Sequence, residues 1–416
     1  MELEFLGGAR EVGRSALLVD DTLLIDYGQM AADPPRYPVR DPEPAAVVVS
    51  HGHLDHVGAV PALLKGDRRP AVHWTPPTGE FARTLARDTL KLQGNTPLCP
   101  FGAEHVARLG EVERRHGYGD AFPVAGGVDG GGYEVTLLSA GHIPGSAHVL
   151  VDDGDTRLLY TGDFHTDDQR LVARTTARPD ADVVVCESTY ADVSHEARAA
   201  VESAWADSVE RTVWEGGTVV APAFAIGRTQ ELLLVAAAND LTPYADGMGV
   251  GVTETLRRYP EFLRDPDALR AAAGGARSVT GRDGQRERIA SENALIVTTS
   301  GMLAGGPVHT YLPEIRGDPT NLVTLTGYQV AGTPGRELQE HGRLELNGRV
   351  RPVSARVESY DFSAHADREG LASFLDAYRD SRVLVNHGDR CEAFAEDLRE
   401  DGFAASAPAV GERVEV

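Results

Sequence analysis

The chain has 416 residues, and its 40 Lys+Arg against 63 Asp+Glu give a formal net charge of −23. This length predicts two or three domains, and a hydrophobic content of 42% excludes the fibrous and fully disordered classes. No apolar run approaches the ~18 residues of a membrane span. Residues 1–4 contain two glutamates and lack the basic segment of a secretory signal. Three scattered cysteines without CxxC spacing indicate a reducing, cytoplasmic setting.

The basic residues are almost all arginine. Lys65 and Lys91 are the two lysines, which leaves 40 − 2 = 38 Arg. An acidic, lysine-poor chain is typical of a protein that works in concentrated salt, where the Debye length shrinks to ~3 Å at 1 M and repulsion between carboxylates is screened. We therefore expect a halophilic protein; the alternative is an acidic protein from a genome that favours arginine.

Short apolar runs alternate with helical stretches along the chain, which predicts an α/β fold. The predicted strands are 16–19, 23–25, 46–49, 133–138, 158–160, 183–185, 218–221, 295–298, 322–325 and 383–385. The predicted helices are 79–91, 104–115, 196–215, 229–238, 368–378 and 390–401. We expect loops over 269–292, which is rich in Arg, Ala and Gly, and a turn over the glycine-rich 126–132, which precedes a strand rather than opening a helix.

Residues 50–56 read Ser-His-Gly-His-Leu-Asp-His. They place His51, His53, Asp55 and His56 directly after the apolar strand 46–49. One metal ion needs three or four protein ligands, so four here, with more elsewhere, indicate two adjacent ions. Imidazole and carboxylate ligands favour zinc, with manganese or iron as alternatives.

Other residues suited to a metal site follow three more apolar runs: Asp163 after 158–160, Glu187 after 183–185 and His387 after 383–385. Residues at strand ends lie on loops at one rim of a sheet, where α/β proteins build their sites. Because these other candidate ligands are present, His142, in the segment 139–146, is a further candidate ligand. His365 lies just before the predicted helix 368–378.

These motifs resemble those of the metallo-β-lactamase-fold nucleases of the β-CASP group, and within it the archaeal relatives of the polyadenylation-factor nuclease more than the RNase J branch. The resemblance covers nearly the whole chain, including the stretches 7–15, 24–28, 186–190, 223–231 and 299–303. It implies an αββα metallo-β-lactamase sandwich, formed by 1–192 and 351–416, with an α/β β-CASP domain inserted at 193–350. The gap of 365 − 163 = 202 residues between Asp163 and His365 supports the insertion.

The resemblance also implies a role for each matching residue. One zinc ion would bind His51, His53 and His142, the second would bind Asp55, His56 and His387, and Asp163 would bridge them. Glu187 would orient His365 toward the scissile phosphate, and Asp26 would fix the orientation of a ligating imidazole. Asp55, Asp163, Glu187 and His365 would form the catalytic set, and substrate would contact Ser363, His365, Arg228 and Ser300.

The function implied is that of a ribonuclease with two Zn²⁺ that hydrolyses phosphodiester bonds of single-stranded RNA in mRNA 3′-end formation or RNA turnover. We expect no membrane association, and homodimerisation and transcription or RNA-processing partners would fit this role.

Residues 195–350 carry 15 Arg and 20 acidic residues, a net of −5, so this part is less acidic than the rest and suits a polyanion. The choice between endonuclease and 5′→3′ exonuclease stays open. A non-catalytic RNA-binding subunit and a glyoxalase- or lactonase-like hydrolase on the same fold are the alternatives.

Overall fold

The computed structural model describes residues 1–124, 132–282, 284–330, 332–346 and 348–416. The chain divides into two compact units. The first comprises Met1–Asp168, Arg174–Ser194 and Ala364–Val416, and the second comprises Gln169–Ala173 and His195–Ser363. Among the described residues, no helix combines the length and apolar character that crossing a membrane requires.

The first unit is built on two seven-stranded sheets. The strands of its first sheet are Glu2–Gly7 (β1), Ala16–Val19 (β2), Leu23–Ile25 (β3), Ala46–Val48 (β4), Ala71–Trp74 (β5), Glu113–Arg115 (β6) and Arg413–Glu415 (β22). They lie in the order β22-β1-β2-β3-β4-β5-β6. Pairing is antiparallel from β22 to β3 and parallel from β3 to β6.

The second sheet brings distant parts of the chain side by side. Its strands are Ala121–Val124 (β7), Tyr133–Ser139 (β8), Ala147–Asp152 (β9), Arg157–Tyr160 (β10), Val183–Glu187 (β11), Arg382–Asn386 (β20) and Ala404–Ser406 (β21). They lie in the order β21-β20-β11-β10-β9-β8-β7. Because β10, β11 and β20 are parallel neighbours, their carboxyl ends meet at one edge of the sheet.

Helices cover the outer face of each sheet. The helices of this unit are Leu54–Val57 (α1), Pro76–Gln93 (α2), Ala103–Val112 (α3), Arg368–Leu375 (α11) and Cys391–Glu400 (α12), with short 3₁₀ turns at Val60–Leu64 and Asp376–Tyr378. On β2, Leu17 and Val19 pack in the core between the sheets, whereas Ala16 and Leu18 pack on the side of α2 and α3. The other sheet packs its outer face against α11 and α12. Strands buried on both faces read as continuous apolar runs, which explains why the sequence marked them. The predicted αββα sandwich is confirmed.

The second unit is a six-stranded parallel sheet with helices. Its strands are Val219–Pro222 (β12), Tyr244–Asp246 (β13), Arg277–Ser278 (β14), Leu295–Thr298 (β15), Leu322–Leu325 (β16) and Arg356–Ser359 (β19), in the order β14-β13-β15-β12-β16-β19. A separate hairpin pairs Arg343–Leu346 (β17) with Arg349–Pro352 (β18). This unit extends to Ser363, beyond the limit of 350 proposed from the sequence, because β19 pairs with β16 of the same sheet.

The helices of the second unit follow its strands in alternation. They are Arg198–Trp214 (α4), Arg228–Ala238 (α5), Met248–Leu256 (α6), Pro266–Gly275 (α7), Gln285–Ile289 (α8), Val308–Ile315 (α9) and Pro334–His341 (α10), with a 3₁₀ turn at Pro260–Phe262.

Two local expectations were wrong. The stretch 269–292 is not all loop, since it contains most of α7 and all of α8. Helix α7 begins where the Asp265 carboxylate accepts from Ala268 N, and it buries Leu269 and Ala272. The helix predicted over 104–115 ends at Val112, because Glu113–Arg115 pairs with β5 as an edge strand. The turn predicted at 126–132 lies, except for Gly132, outside the described residues.

Candidate metal centre

Nine candidate site residues converge in the first unit. Asp163 follows β10, Glu187 ends β11 and His387 follows β20, so the three parallel strands deliver them to one edge. The loop after β4 and the short helix α1 supply His51, His53, Asp55 and His56 from the other sheet. His142 lies between β8 and β9, and His365 lies just before α11.

These side chains form three groups with the spacing of metal ligands, one of them Asp163, Glu187 and His365, and the other two match the predicted ion sites. His51, His53, His142 and Asp163 can each offer one ligand atom such that all four lie within 4.8 Å of one another, and Asp55, His56 and His387 do the same. Each group offers the three or four ligands that a metal ion requires.

The Asp163 carboxylate lies between the two groups. Its Oδ2 is 3.5 Å from His51 Nε2 and 3.9 Å from His142 Nε2. Its Oδ1 is 3.4 Å from His56 Nε2 and 3.4 Å from a ring nitrogen of His387. One oxygen therefore faces each group, which is the arrangement that a bridging carboxylate needs.

Several buried polar atoms of this cluster have no hydrogen-bond partner among the described residues. They are His51 Nε2, His53 Nε2, Asp163 Oδ1 and His387 Nε2. Leaving a buried polar atom unpaired costs about 1–3 kcal/mol. Unpaired atoms in one cluster of imidazoles and carboxylates fit cations, which would satisfy those that face the cluster, so the residues present fit a pair of metal ions.

The protonation states of His51, His142 and two carboxylates also suit cations, whereas Asp163 outweighs burial at His56 and His387 and raises the pKa of both rings. Burial, and then the neighbouring imidazoles, hold the pKa of His51 and His142 well below the ordinary value, which keeps these rings in the neutral form that binds metals. Burial would raise the pKa of Asp163, but His387, His56 and other nearby imidazoles outweigh it and lower that pKa. Burial would also raise the pKa of Asp55, but the hydrogen bond with His387 and nearby imidazoles outweigh it and lower that pKa. Both carboxylates therefore stay charged.

Neighbouring groups orient the ligating imidazoles. Asp26, which is 0% exposed, accepts from His56 Nδ1 at 2.7 Å and from Ser50 Oγ at 2.7 Å. Because the Ser50 hydroxyl gives its proton to Asp26, its oxygen accepts from His51 Nδ1, 3.1 Å away. His142 Nδ1 donates to the carbonyl of Ala364 at 2.8 Å. In all three rings the Nδ1 proton is held, which leaves Nε2 as the atom available to a metal ion.

His365 and Glu187 form a pair beside Asp163. The Glu187 oxygens lie 3.1 and 3.2 Å from His365 Nδ1, and Glu187 Oε1 also accepts from Phe164 N at 2.8 Å. Burial would lower the pKa of His365, but the carboxylates of Glu187 and Asp163 outweigh it and raise the pKa to about 9. The ring is therefore a charged acid at neutral pH, and its side chain keeps 19% exposure.

The remaining predicted residues belong to the second unit. Arg228 is the first residue of α5, and its guanidinium lies 5.9 Å from the centroid of the Phe362 ring. Ser300 lies two residues beyond β15 and donates to the carbonyl of Gly305 at 3.1 Å. Ser363 is 6% exposed, and its carbonyl accepts from Arg198. Their contact with substrate stays a prediction.

Sequence reasoning missed three groups that hold the ligands. Ser50 lies in the segment 50–56 and Thr189 in the segment 186–190, but neither was predicted to contact a ligand. Thr189 Oγ1 lies 3.1 Å from His387 Nδ1. The third is a backbone carbonyl, that of Ala364, which no side-chain pattern marks. A hydroxyl next to a candidate ligand in sequence, as Ser50 is to His51, is the one available signal.

Comparison with known proteins places the chain in a family. Three family models match: the metallo-beta-lactamase superfamily over 10–210, the Beta-Casp domain over 229–338, and the Zn-dependent metallo-hydrolase RNA specificity domain over 350–408. The third match carries His365 and His387.

Similar whole proteins come from archaea. RNase aCSPSF2 of Saccharolobus solfataricus is 35% identical over 429 residues, which cover 99% of this chain and 85% of that protein. Probable RNase MJ4 of Methanocaldococcus jannaschii is 30% identical over the whole of both chains. Transcription termination factor FttA of the same organism is 30% identical over 96% of this chain and 69% of that protein. The chain therefore belongs to the β-CASP family of the metallo-β-lactamase superfamily, among its archaeal members.

Proposed function

We propose that this protein is a zinc-dependent ribonuclease that hydrolyses phosphodiester bonds of single-stranded RNA. The observation that carries the proposal is the pair of ligand groups on either side of Asp163, with four buried atoms that have no hydrogen-bond partner in the described parts of the chain. Two adjacent metal ions are a recurrent arrangement for phosphodiester hydrolysis. Zinc is favoured by the donor set of imidazoles and carboxylates and by the name of the matching Zn-dependent model.

The choice of RNA as substrate has separate support. One matching family model is described as an RNA specificity domain, and two of the similar proteins are named RNases. A third is named a transcription termination factor. We therefore place the reaction in mRNA 3′-end formation or RNA turnover in the cytoplasm, with endonucleolytic cleavage as the main mode and 5′→3′ exonucleolytic action as a second.

The chain's own residues have distinct tasks in this reaction. His51, His53 and His142 would hold one ion, Asp55, His56 and His387 the other, and Asp163 both. When bound, two zinc ions supply Lewis acidity toward the phosphate and lower the pKa of an attacking water. Asp26 and Ser50 keep the protons of the His56 and His51 rings on Nδ1.

The leaving 3′ oxygen needs a proton, and His365 would donate it from Nε2. Glu187 accepts from His365 Nδ1 and keeps the ring charged, which matches the pKa of about 9. This arrangement resembles other acid–base pairs, in which a carboxylate accepts from the histidine nitrogen that does not exchange a proton with the substrate.

The test uses a 5′-labelled unstructured RNA in molar KCl with zinc-loaded protein, with and without a zinc chelator. We expect internal fragments that carry 3′-hydroxyl ends and that disappear with the chelator. Labelled mononucleotide from the earliest times would instead establish 5′→3′ action. Failure to cleave while RNA still binds would identify a non-catalytic RNA-binding subunit, and lactone or thioester turnover without RNA cleavage would favour the small-molecule hydrolase.

Matched variants make the test specific. His365→Ala should lower cleavage by roughly 10²–10⁴-fold, the usual range for loss of a general acid, while zinc content stays at the wild-type value. His341→Ala removes an exposed histidine of the second unit and should leave cleavage unchanged. Equal activity of both variants would exclude His365 as the proton donor.

A further inference from the structure

Three loops meet at the carboxyl edge of the parallel sheet in the second unit. Strands β15, β12 and β16 are neighbours, and they end at Thr298, Pro222 and Leu325. Since parallel strands end at the same edge, the loops that follow them lie side by side. Loops at the carboxyl edge of an open parallel sheet are where such folds bind ligands.

Side-chain hydrogen bonds tie these loops together. Gln329 is 2% exposed, and its amide nitrogen donates to the carbonyls of Gly301 at 3.2 Å and Gly327 at 3.0 Å. Thr326 Oγ1 donates to the carbonyl of Pro222 at 3.3 Å. The loop after β16 is therefore held to the loop after β15 and to the end of β12, so the backbone on either side of Tyr328 is anchored.

This edge presents two aromatic rings. Tyr328 is 51% exposed although it lies between the anchored residues Gly327 and Gln329. The half-buried ring of Phe224 lies against two glycines: a β-carbon at Gly327 would be 3.2 Å from Phe224 Cε2, and one at Gly301 would be 3.3 Å from Phe224 Cδ2. The two glycines leave room for the ring where any larger residue would press on it. We call Phe224 and Tyr328 the aromatic edge.

Residues suited to phosphate lie on the same loops as the aromatic edge. Arg228 opens α5 four residues after Phe224, and Ser300 precedes Gly301. Loops that carry aromatic rings together with a guanidinium and a hydroxyl suit a nucleotide, which has a flat base and an anionic phosphate. An exposed ring stacks on any unpaired base with a gain that does not depend strongly on sequence.

We infer that the aromatic edge binds an unpaired base of the RNA substrate, with Tyr328 as the main stacking surface. This inference rests on the proposed function and extends it, since it assigns a base-binding site in the second unit. It predicts a preference for single-stranded over duplex RNA, because bases within a duplex already stack on one another.

The test measures RNA affinity by fluorescence anisotropy with the full-length, zinc-loaded chain carrying His365→Ala to slow cleavage. Tyr328→Ala should weaken binding of a short unstructured RNA by about 5- to 150-fold. Tyr328→Phe keeps the ring and should bind as the parent does, whereas Tyr328→Leu keeps apolar bulk without a ring and should bind weakly. The leucine variant also separates loss of the aromatic ring from loss of side-chain volume, which in Tyr328→Ala changes the packing of the loop.

Trp214→Ala is the matched control. Trp214 is 85% exposed at the end of α4, just before β12 begins, and thus lies toward the opposite edge of the same sheet. This variant should leave RNA affinity unchanged. A 2-aminopurine base in the RNA gives a second readout, since stacking should quench its fluorescence with the parent protein and with Tyr328→Phe but not with Tyr328→Ala.

The outcomes separate this inference from the proposed function. If the wild-type protein cleaves RNA but Tyr328→Ala binds with unchanged affinity and quenching, the base site is refuted and the ribonuclease stands. If the wild-type protein neither binds nor cleaves RNA, both are overturned. If Tyr328→Ala alters the oligomeric state and not RNA affinity, the ring serves a protein contact and the base site is refuted.

Discussion

Ser50→Ala removes one hydroxyl between a carboxylate and a ligating ring. Ser50 Oγ donates to Asp26 Oδ2 at 2.7 Å and accepts from His51 Nδ1 at 3.1 Å. The change leaves Asp26 with its other donors, the backbone N–H of Ser50 and Nδ1 of His56, both at 2.7 Å. The damage should therefore fall on the group that contains His51 and spare the group that contains His56.

The size of the effect follows from the contact that is lost. His51 is 0% exposed, so its Nδ1 proton would have no water to bond with once the hydroxyl is gone. A lost hydrogen bond together with a buried unpaired donor costs about 2 kcal/mol, which is about 30-fold in a binding constant. Groups that hold metal ligands from outside typically contribute 10–100-fold to metal affinity, which brackets this value.

Zinc titration against a competing fluorescent chelator measures the two affinities. We expect two ions per wild-type chain, and in Ser50→Ala one ion weakened about 30-fold and the other little changed. Ser381→Ala is the control, because Ser381 is also a buried serine, 8% exposed, and its hydroxyl donates to the carbonyl of Ala181, away from the ligand groups. Two wild-type affinities in Ser50→Ala would refute the role given to the hydroxyl.

Three further predictions concern the charges and titrations of the protein. Asp163→Asn should lower zinc content, measured by mass spectrometry of the metal, from two ions to one or fewer, because one charged oxygen faces each group; two tightly held ions would contradict the bridging role. Burial, aided by His116, lowers the pKa of His73 to about 4. The neutral ring is then favoured by folding, so its contribution is complete above about pH 6.5 and declines as pH falls toward 4. The urea midpoint should fall less over that range in His73→Gln than in wild type, both loaded with zinc, and equal falls would exclude this site. With a net charge of −23, the thermal midpoint should rise with KCl toward molar concentration, and a midpoint that falls would argue against the halophilic interpretation.

Much of the fold was readable because its strands are buried on both faces. Continuous apolar runs such as 46–49 and 183–185 correspond to β4 and β11, and both lie in the interior of their sheets. Elements without such runs were missed or misjudged. Helix α7 contains one large apolar residue, Leu269, and therefore shows no helical hydrophobic period. Its start is marked instead by the capping residue Asp265. Edge strand β6 reads as helix because its residues are all charged.

The candidate ligands were named from the sequence because metal chemistry restricts the residue types. Histidine and aspartate at the density of 50–56, directly after a strand, are typical of a metal site. What the residues could not show is which atoms meet, since Asp163, Glu187 and His387 approach only when β10, β11 and β20 align in parallel. The hydroxyl of Ser50 is adjacent to His51 in sequence, yet its partner Asp26 lies on a different loop.

The sequence by itself determined the α/β class, the candidate metal ligands and the resemblance to β-CASP nucleases, since these depend on local composition and short spacings. Only the tertiary structure decided that the two oxygens of Asp163 face different ligand groups, that His365 is charged beside Glu187, and that Tyr328 stands exposed on an anchored loop. Each of these depends on contacts between segments far apart in the chain. Burial and distance set the protonation and exposure of a side chain, and neither is a property of its neighbours in sequence.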